Sequence, residues 1–269
     1  MIFVSVAIGA VCALAALLCA LIWVGRVQGN GGRFAGVFVT VLAILLVSAG
    51  IFVQPHAKVR FVMWQLDRQL VDNAAFAAIK RYDAPTYRTV MSELSIAVRQ
   101  GKGEAEGFAL VRSIIEPLVL KRLPEASDEA AAKYMAVQVK EITELQAAGG
   151  ELCFDYLFPQ GNKARELQKH LSAETRKADY AALGELIRSA STSPQQPPLA
   201  SEAEPLLAPV VAGMNERFGR DLGMLQAPQA PGVDRPKVCE MTISMYNQIL
   251  KLPPAQSGML VRYLLAPKR

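Results

Sequence analysis

The sequence predicts an all-α protein: an N-terminal two-helix transmembrane hairpin followed by an irregular α-helical bundle of about eight helices. Three observations predict it. Uncharged runs of 23 and 20 residues fill most of the first 53 positions. Beyond residue 57, apolar residues recur at the three- and four-residue spacing of a helix. No stretch there shows the period of two that a half-buried strand needs.

The hairpin accounts for the composition. Of 269 residues 52% are hydrophobic and 20% charged, against roughly 45–50% and ~25% in an ordinary soluble domain. The excess sits at the front. Residues 1–56 contain two charges, Arg26 and Arg33, and the first acid is Asp67. Without those two arginines the 29 basic residues fall to 27, against 24 acids, an ordinary balance for residues 57–269. This pattern excludes a wholly soluble chain, a multi-span transporter and a disordered protein.

The first run is Ile2 to Val24 and the second Phe34 to Val53. At about 1.5 Å per residue they reach roughly 34 and 30 Å, enough for a ~30 Å hydrocarbon core. The link from Gly25 to Arg33 is rich in glycine and too polar for lipid, so it turns the chain back. It lacks the Lys-Ser/Thr pair of a phosphate loop. Gly9 with Ala13, and Ala16 with Ala20, would let the two helices approach closely. The first run has no basic residue before it and is too long for a cleaved signal peptide. Cys12 follows Val11 and Cys19 follows Leu18, so no small residue marks a lipoprotein cysteine.

A hairpin puts the N-terminus and the large domain on one side of the bilayer. Arg26 and Arg33 in the link favour a cytoplasmic loop, which places both termini and the domain outside the cytoplasm of an inner-membrane, two-pass protein. Lys58, Arg60 and Arg68 argue the other way, but long domains translocate largely regardless of such charges. In an oxidising compartment the domain's two cysteines, Cys153 and Cys239, are expected to pair.

The elements of residues 57–269 follow from periodicity and punctuation. Val59, Val62, Met63, Leu66, Leu70, Phe76 and Ile79 form one stripe after Pro55. Asp83 and Pro85 open a helix that stops at Gly101. Glu104 to Leu123 is helical, with Pro117 kinking or ending it. Ser127 caps a run that Gly149-Gly150 closes. A short apolar piece, Leu152 to Phe158, precedes a polar helical region from Ala164 to Ile187. Pro-rich loops lie at 191–200 and 226–236, around a helix from Glu202 to Leu222. Val238 to Leu252 and Gln256 to Leu265 end the chain. The domain is large enough for one core.

Chemistry-bearing residues are few. Glu166, His170 and Glu174 stand four apart and would line one helical face, half of a metal site. The six charged residues around them, Lys163 to Asp179, read instead as a solvated face laced with ion pairs. Glu151 and Asp155 form a second pair that could divide acid and base roles, though a capped helix end explains it equally. No nucleophile elbow, zinc spacing, cofactor motif or basic stripe occurs, so neither a cofactor, a metal nor a nucleic acid is expected. The last two helices carry Met241, Met245, Tyr246, Arg262 and Tyr263, residue types enriched in partner-binding surfaces; closing the core is their plainer role.

The sequence therefore predicts a membrane-anchored, non-enzymatic helical domain that binds a protein partner at the bacterial cell envelope. A toxin-neutralising immunity protein and an accessory subunit of an envelope complex are examples. The alternatives are an envelope enzyme built on the carboxylate or carboxylate–histidine residues, and a purely structural membrane component.

Overall fold

A computed structural model of the chain describes residues 59–159 and 164–266, the side chains of residues 164–166 excepted. The hairpin expected over residues 1–56 lies outside the described residues. Among the described residues there is no strand, and no helix is long and apolar enough to cross a membrane. The chain divides into two compact units, Met1–Trp64 and Gln65–Arg269.

A helical stretch over residues 59–71 ends at a turn, Asp72-Asn73, where the sequence suggests one continuous stripe to Ile79. Asn73 is the reason. Its side-chain oxygen accepts from the Ala75 amide and starts a new helix, α1 (Ala74–Tyr82). Asp83 then caps α2 (Ala84–Arg99) by accepting from Thr86, with proline in its first turn as expected. Gly101, at φ +69°, ends that segment in the left-handed region. Next comes α3 (Glu104–Arg122), which runs through Pro117. Pro117 lies on the exposed side, where water can take up the carbonyl that proline leaves without its donor.

After a 3-10 turn, Leu123–Glu125, Ser127 caps α4 (Asp128–Ala148). Gly149 stops it, and Gly150 opens α5 (Gly150–Leu157). The polar region after it is two helices, α6 (Ala164–Lys169) and α7 (Ala173–Thr192), because Ser172 caps α7 through the Thr175 amide. Then follow α8 (Ala200–Phe218), a 3-10 segment Gly219–Leu225, α9 (Arg235–Leu250) and α10 (Pro254–Leu265). Two prolines, Pro205 and Pro209, lie inside α8 on its exposed side.

The core collects around α4, which packs against α5, α7, α9 and α10. Ile142 and Leu145 of α4 are buried with Leu186 and Ile187 of α7, Val238, Met241 and Ile249 of α9, and Leu260 and Val261 of α10. Two glycines permit close approach of one backbone to another. A Cβ on Gly258 of α10 would stand 1.9 Å from the Asp128 carbonyl oxygen, and one on Gly184 of α7 would stand 2.7 Å from that of Ala74. Neither distance leaves room for a methyl group. Cys153 of α5 and Cys239 of α9 are within bonding distance, 2.17 Å between sulfurs, and both are fully buried.

Two predictions follow from this packing. Gly258→Ala should lower the stability of the domain by about 3 kcal/mol, because two backbones have to separate; thermal melting will show it, and an unchanged melting temperature would refute the close packing. Reducing the disulfide, or replacing Cys153 by Ser, should cost about 4–5 kcal/mol, the loop-entropy value for a bridge between residues 86 apart.

Candidate functional site

The residues that the sequence offers for chemistry are dispersed. Glu151 is exposed at the start of α5 and pairs with Arg235 at 2.8 Å. Asp155 is partly exposed on the same helix. His170 is exposed in the turn after α6, and Glu174 in α7 pairs with Lys140 at 3.1 Å. The row expected on one helical face does not form, since the Ser172 cap breaks the helix between His170 and Glu174. The Glu166 side chain lies outside the described residues.

The suggested partner surface also divides. Met241 is fully buried, and Met245, Tyr246 and Tyr263 are half-buried. Arg262 is 3% exposed. Its guanidinium donates to Asp128 and to the Gln195 side chain at 2.7 Å, to the Pro124 carbonyl at 3.1 Å, and to the Gln196 carbonyl. An arginine whose donors are turned inward to this extent is a structural clamp, so neither it nor Met241 offers a docking contact.

Two features outside the sequence expectations concentrate polar groups. The first is buried. Glu141 of α4 is 1% exposed. One of its oxygens contacts the Tyr156 hydroxyl of α5 at very short range, and that hydroxyl also lies 2.8 Å from Oε1 of Gln138. Gln138 Nε2 in turn donates to Asp179 of α7 at 2.9 Å. Tyr156 has one proton for two acceptors. The row is satisfied when a protonated Glu141 donates to Tyr156, Tyr156 to Gln138, and Gln138 to an ionised Asp179. The other Glu141 oxygen is buried with no hydrogen-bond partner, which a neutral carboxyl tolerates better than a carboxylate.

Electrostatics agree with that polarity. Burial, with Asp179 as a nearby like charge, pushes the Glu141 carboxyl up to about 8, against the hydrogen bond from Tyr156 and the charge of Arg112. Burial pushes Asp179 up to about 6, and its bond from Gln138 opposes the shift. Burial also holds the Tyr134 and Tyr156 hydroxyls well above the usual phenol range, with the surrounding carboxylates adding to it. On α3, Arg112 lies 5.5 Å from the centre of the Tyr156 ring. Burial thus favours the neutral form of Glu141 beside Asp179, the direction that the hydrogen-bonded row requires.

The second feature is open. A groove of about 830 Å³ runs between α8 and α9. Val210, Gly213 and Arg217 line one wall, Ser244, Asn247 and Gln248 the other, and Gln146 of α4 contributes to the lining. Arg217 donates to Glu240 at 3.0 Å and to Ser244 at 3.3 Å, so the charge at that end is already paired. A smaller hollow of about 600 Å³ lies over Arg262 beneath residues 196–199. Neither concavity is lined by Glu141, Tyr156 or Asp179. Among the described residues no group of three or more His, Cys, Asp or Glu side chains is placed to hold a metal ion.

The buried cluster had a sequence signal. Glu141 falls seven residues after Tyr134, on the stripe that Ile142 and Leu145 continue, and a charge at a core position of a helical pattern is the anomaly to look for. Asp179 and Gln138 had none, since they meet across α4 and α7. No family model, curated protein or solved structure matches the chain.

The proton inventory predicts a pH dependence. The folded chain keeps a proton on Glu141 that the unfolded chain loses above about 4.5, so this group's contribution to stability is full below that pH and is lost as pH rises toward about 8. The decline is at most ~1.4 kcal/mol per pH unit for one group. Asp179 acts in the same direction between 3.8 and about 6. Glu141→Gln keeps a donor toward Tyr156 and carries no titrating proton. Its melting temperature should match the parent near pH 4 and exceed it at pH 8, by about 1–3 kcal/mol of stability. Parallel profiles for the two chains would sink the assignment.

Proposed function

We propose that this chain is a membrane-anchored, non-enzymatic binding domain of the bacterial cell envelope, and that a polypeptide partner lies in the groove between α8 and α9. The groove carries the reading. Its walls combine apolar contact from Ile243 and Leu252 with the side-chain amides of Gln146, Asn247 and Gln248. An amide presents both donor and acceptor, the complement of a peptide main chain. At one end Glu240 pairs with both Arg217 and Lys237.

Two further points support the setting. The 23- and 20-residue uncharged runs before residue 54 supply an anchor. The paired cysteines, Cys153 and Cys239, suit an oxidising compartment, in accord with the orientation that Arg26 and Arg33 favour. An immunity protein or an accessory subunit of an envelope complex would work in this way. A second reading, an envelope enzyme, gains some support from the raised carboxyls of Glu141 and Asp179. Against it, the two concavities described above do not reach that pair.

The test is purification of the full chain from membranes in mild detergent. A stoichiometric protein partner is expected, and Asn247→Arg, which fills the groove from an exposed position, should abolish its recovery while leaving the melting temperature within a few degrees of the parent. A chain recovered alone that turns over an envelope substrate would overturn the binding reading.

A further inference from the structure

Residues 59–71 are helical, and their first turns expose two large aromatic side chains. Phe61 is 62% and Trp64 51% exposed. The two stand three residues apart on one face, with ring centroids 6.0 Å apart and planes inclined by 30°. Arg60 is exposed four residues before Trp64 and so shares that face. The half-buried side chains of the same turns, Val59, Val62 and Met63, belong to the other face. This stretch therefore carries a half-buried apolar side and an exposed aromatic, basic side.

We infer that the outward face of residues 60–64 seats in the headgroup layer of an anionic bilayer. The inference rests on the membrane-anchor reading above and extends it from the hairpin to the start of the described helix. Position favours lipid over another occupant. The second uncharged run ends at Val53, so Phe61 lies eight residues beyond it. Pro55 disfavours helix at Gln54, which frees the following segment from continuing along the bilayer normal. Chemistry favours it too. An indole has an apolar body with one N–H donor and concentrates at the membrane–water boundary. Arginine can lay its stem on apolar surface while its guanidinium meets lipid phosphate. Lys58 and Arg60 precede the first acid of the chain, Asp67. That acid is already engaged, accepting from Lys80 at 2.9 Å and from the Tyr87 hydroxyl at 2.7 Å. The local charge is thus positive, the sign that anionic headgroups attract.

The chain's two tryptophans make the test selective, since Trp23 lies in the first uncharged run and Trp64 on the proposed face. Full-length Trp23→Phe and Trp64→Phe chains are each reconstituted into vesicles of phosphatidylcholine with phosphatidylglycerol. The lipids carry bromine either near the headgroup or deep in the acyl chain. In the Trp23→Phe chain, Trp64 emission is expected to shift to the blue and to lose more intensity to shallow bromine than to deep. Arg60→Glu in that background should reverse much of the loss. If Trp64 stays hydrated while Trp23, in the Trp64→Phe chain, is quenched, the headgroup inference is overturned and the hairpin stands; a protein partner would then be the candidate for the Phe61–Trp64 face. If neither indole is quenched, the anchor reading fails and the inference falls with it. Equal quenching of Trp64 in vesicles without phosphatidylglycerol overturns the role given to anionic lipid.

Discussion

One buried guanidinium holds together parts of the chain that are far apart in sequence. Arg262, in the last helix, reaches the Pro124 carbonyl in the 3-10 turn, Asp128 at the start of α4, and Gln195 and Gln196 in the Pro-rich segment. A desolvated cation is tolerated only where its donors are satisfied and a counter-charge is near, and here the acid is Asp128 at 2.7 Å. Satisfying Arg262 therefore fixes where α10, α4 and residues 193–199 lie. The Gln195 backbone N–H adds to this by donating to the Glu125 carbonyl at 2.8 Å. A segment that reads as a Pro-rich loop becomes a strap across the bundle.

Around that clamp, small residues and one covalent bond set the spacing of helices. Gly258 lets α10 touch the first turn of α4 where Arg262 also acts, so the close approach and the clamp support each other. The disulfide between α5 and α9 joins helices that both pack on α4. The acidic row of Glu141, Tyr156, Gln138 and Asp179 connects α4 to α5 and α7 through hydrogen bonds where a core would ordinarily use apolar contact. Burying two acids is unfavourable, yet a row with one proton and a fixed direction satisfies most of its groups. Its geometry makes α4 sensitive to pH and, through Tyr156, couples the disulfide-bearing α5 to the same centre.

The groove and the exposed aromatic pair lie in different parts of the chain. The groove depends on α8, whose prolines Pro205 and Pro209 supply no N–H to the carbonyls of Ser201 and Pro205. Pro209 lines the groove, so a residue that weakens the helix also shapes the wall facing it. The aromatic pair Phe61 and Trp64 is of another kind, exposed on the helical stretch over residues 59–71.

What the residues alone determine is local. Asp83, Ser127, Gly101 and Gly149 mark helix ends because a cap needs one particular side chain or one permissive backbone within a few residues. The all-helical class follows from a spacing that needs no partner to be read, and the pairing of Cys153 with Cys239 from there being two cysteines beyond residue 57. Asn73 and Ser172 were legible in the same way, yet the stripes running across them suggested longer helices than form. What only the tertiary structure decided is which polar residues face inward. From the sequence, Arg262 suits a partner surface as well as the core, and Glu151 an acid–base pair as well as a helix end; neither spacing decides which. The reason is that burial of a charge depends on partners brought from elsewhere, such as Asp128 and Gln195 for Arg262 and Tyr156 for Glu141. No spacing within one helix records them.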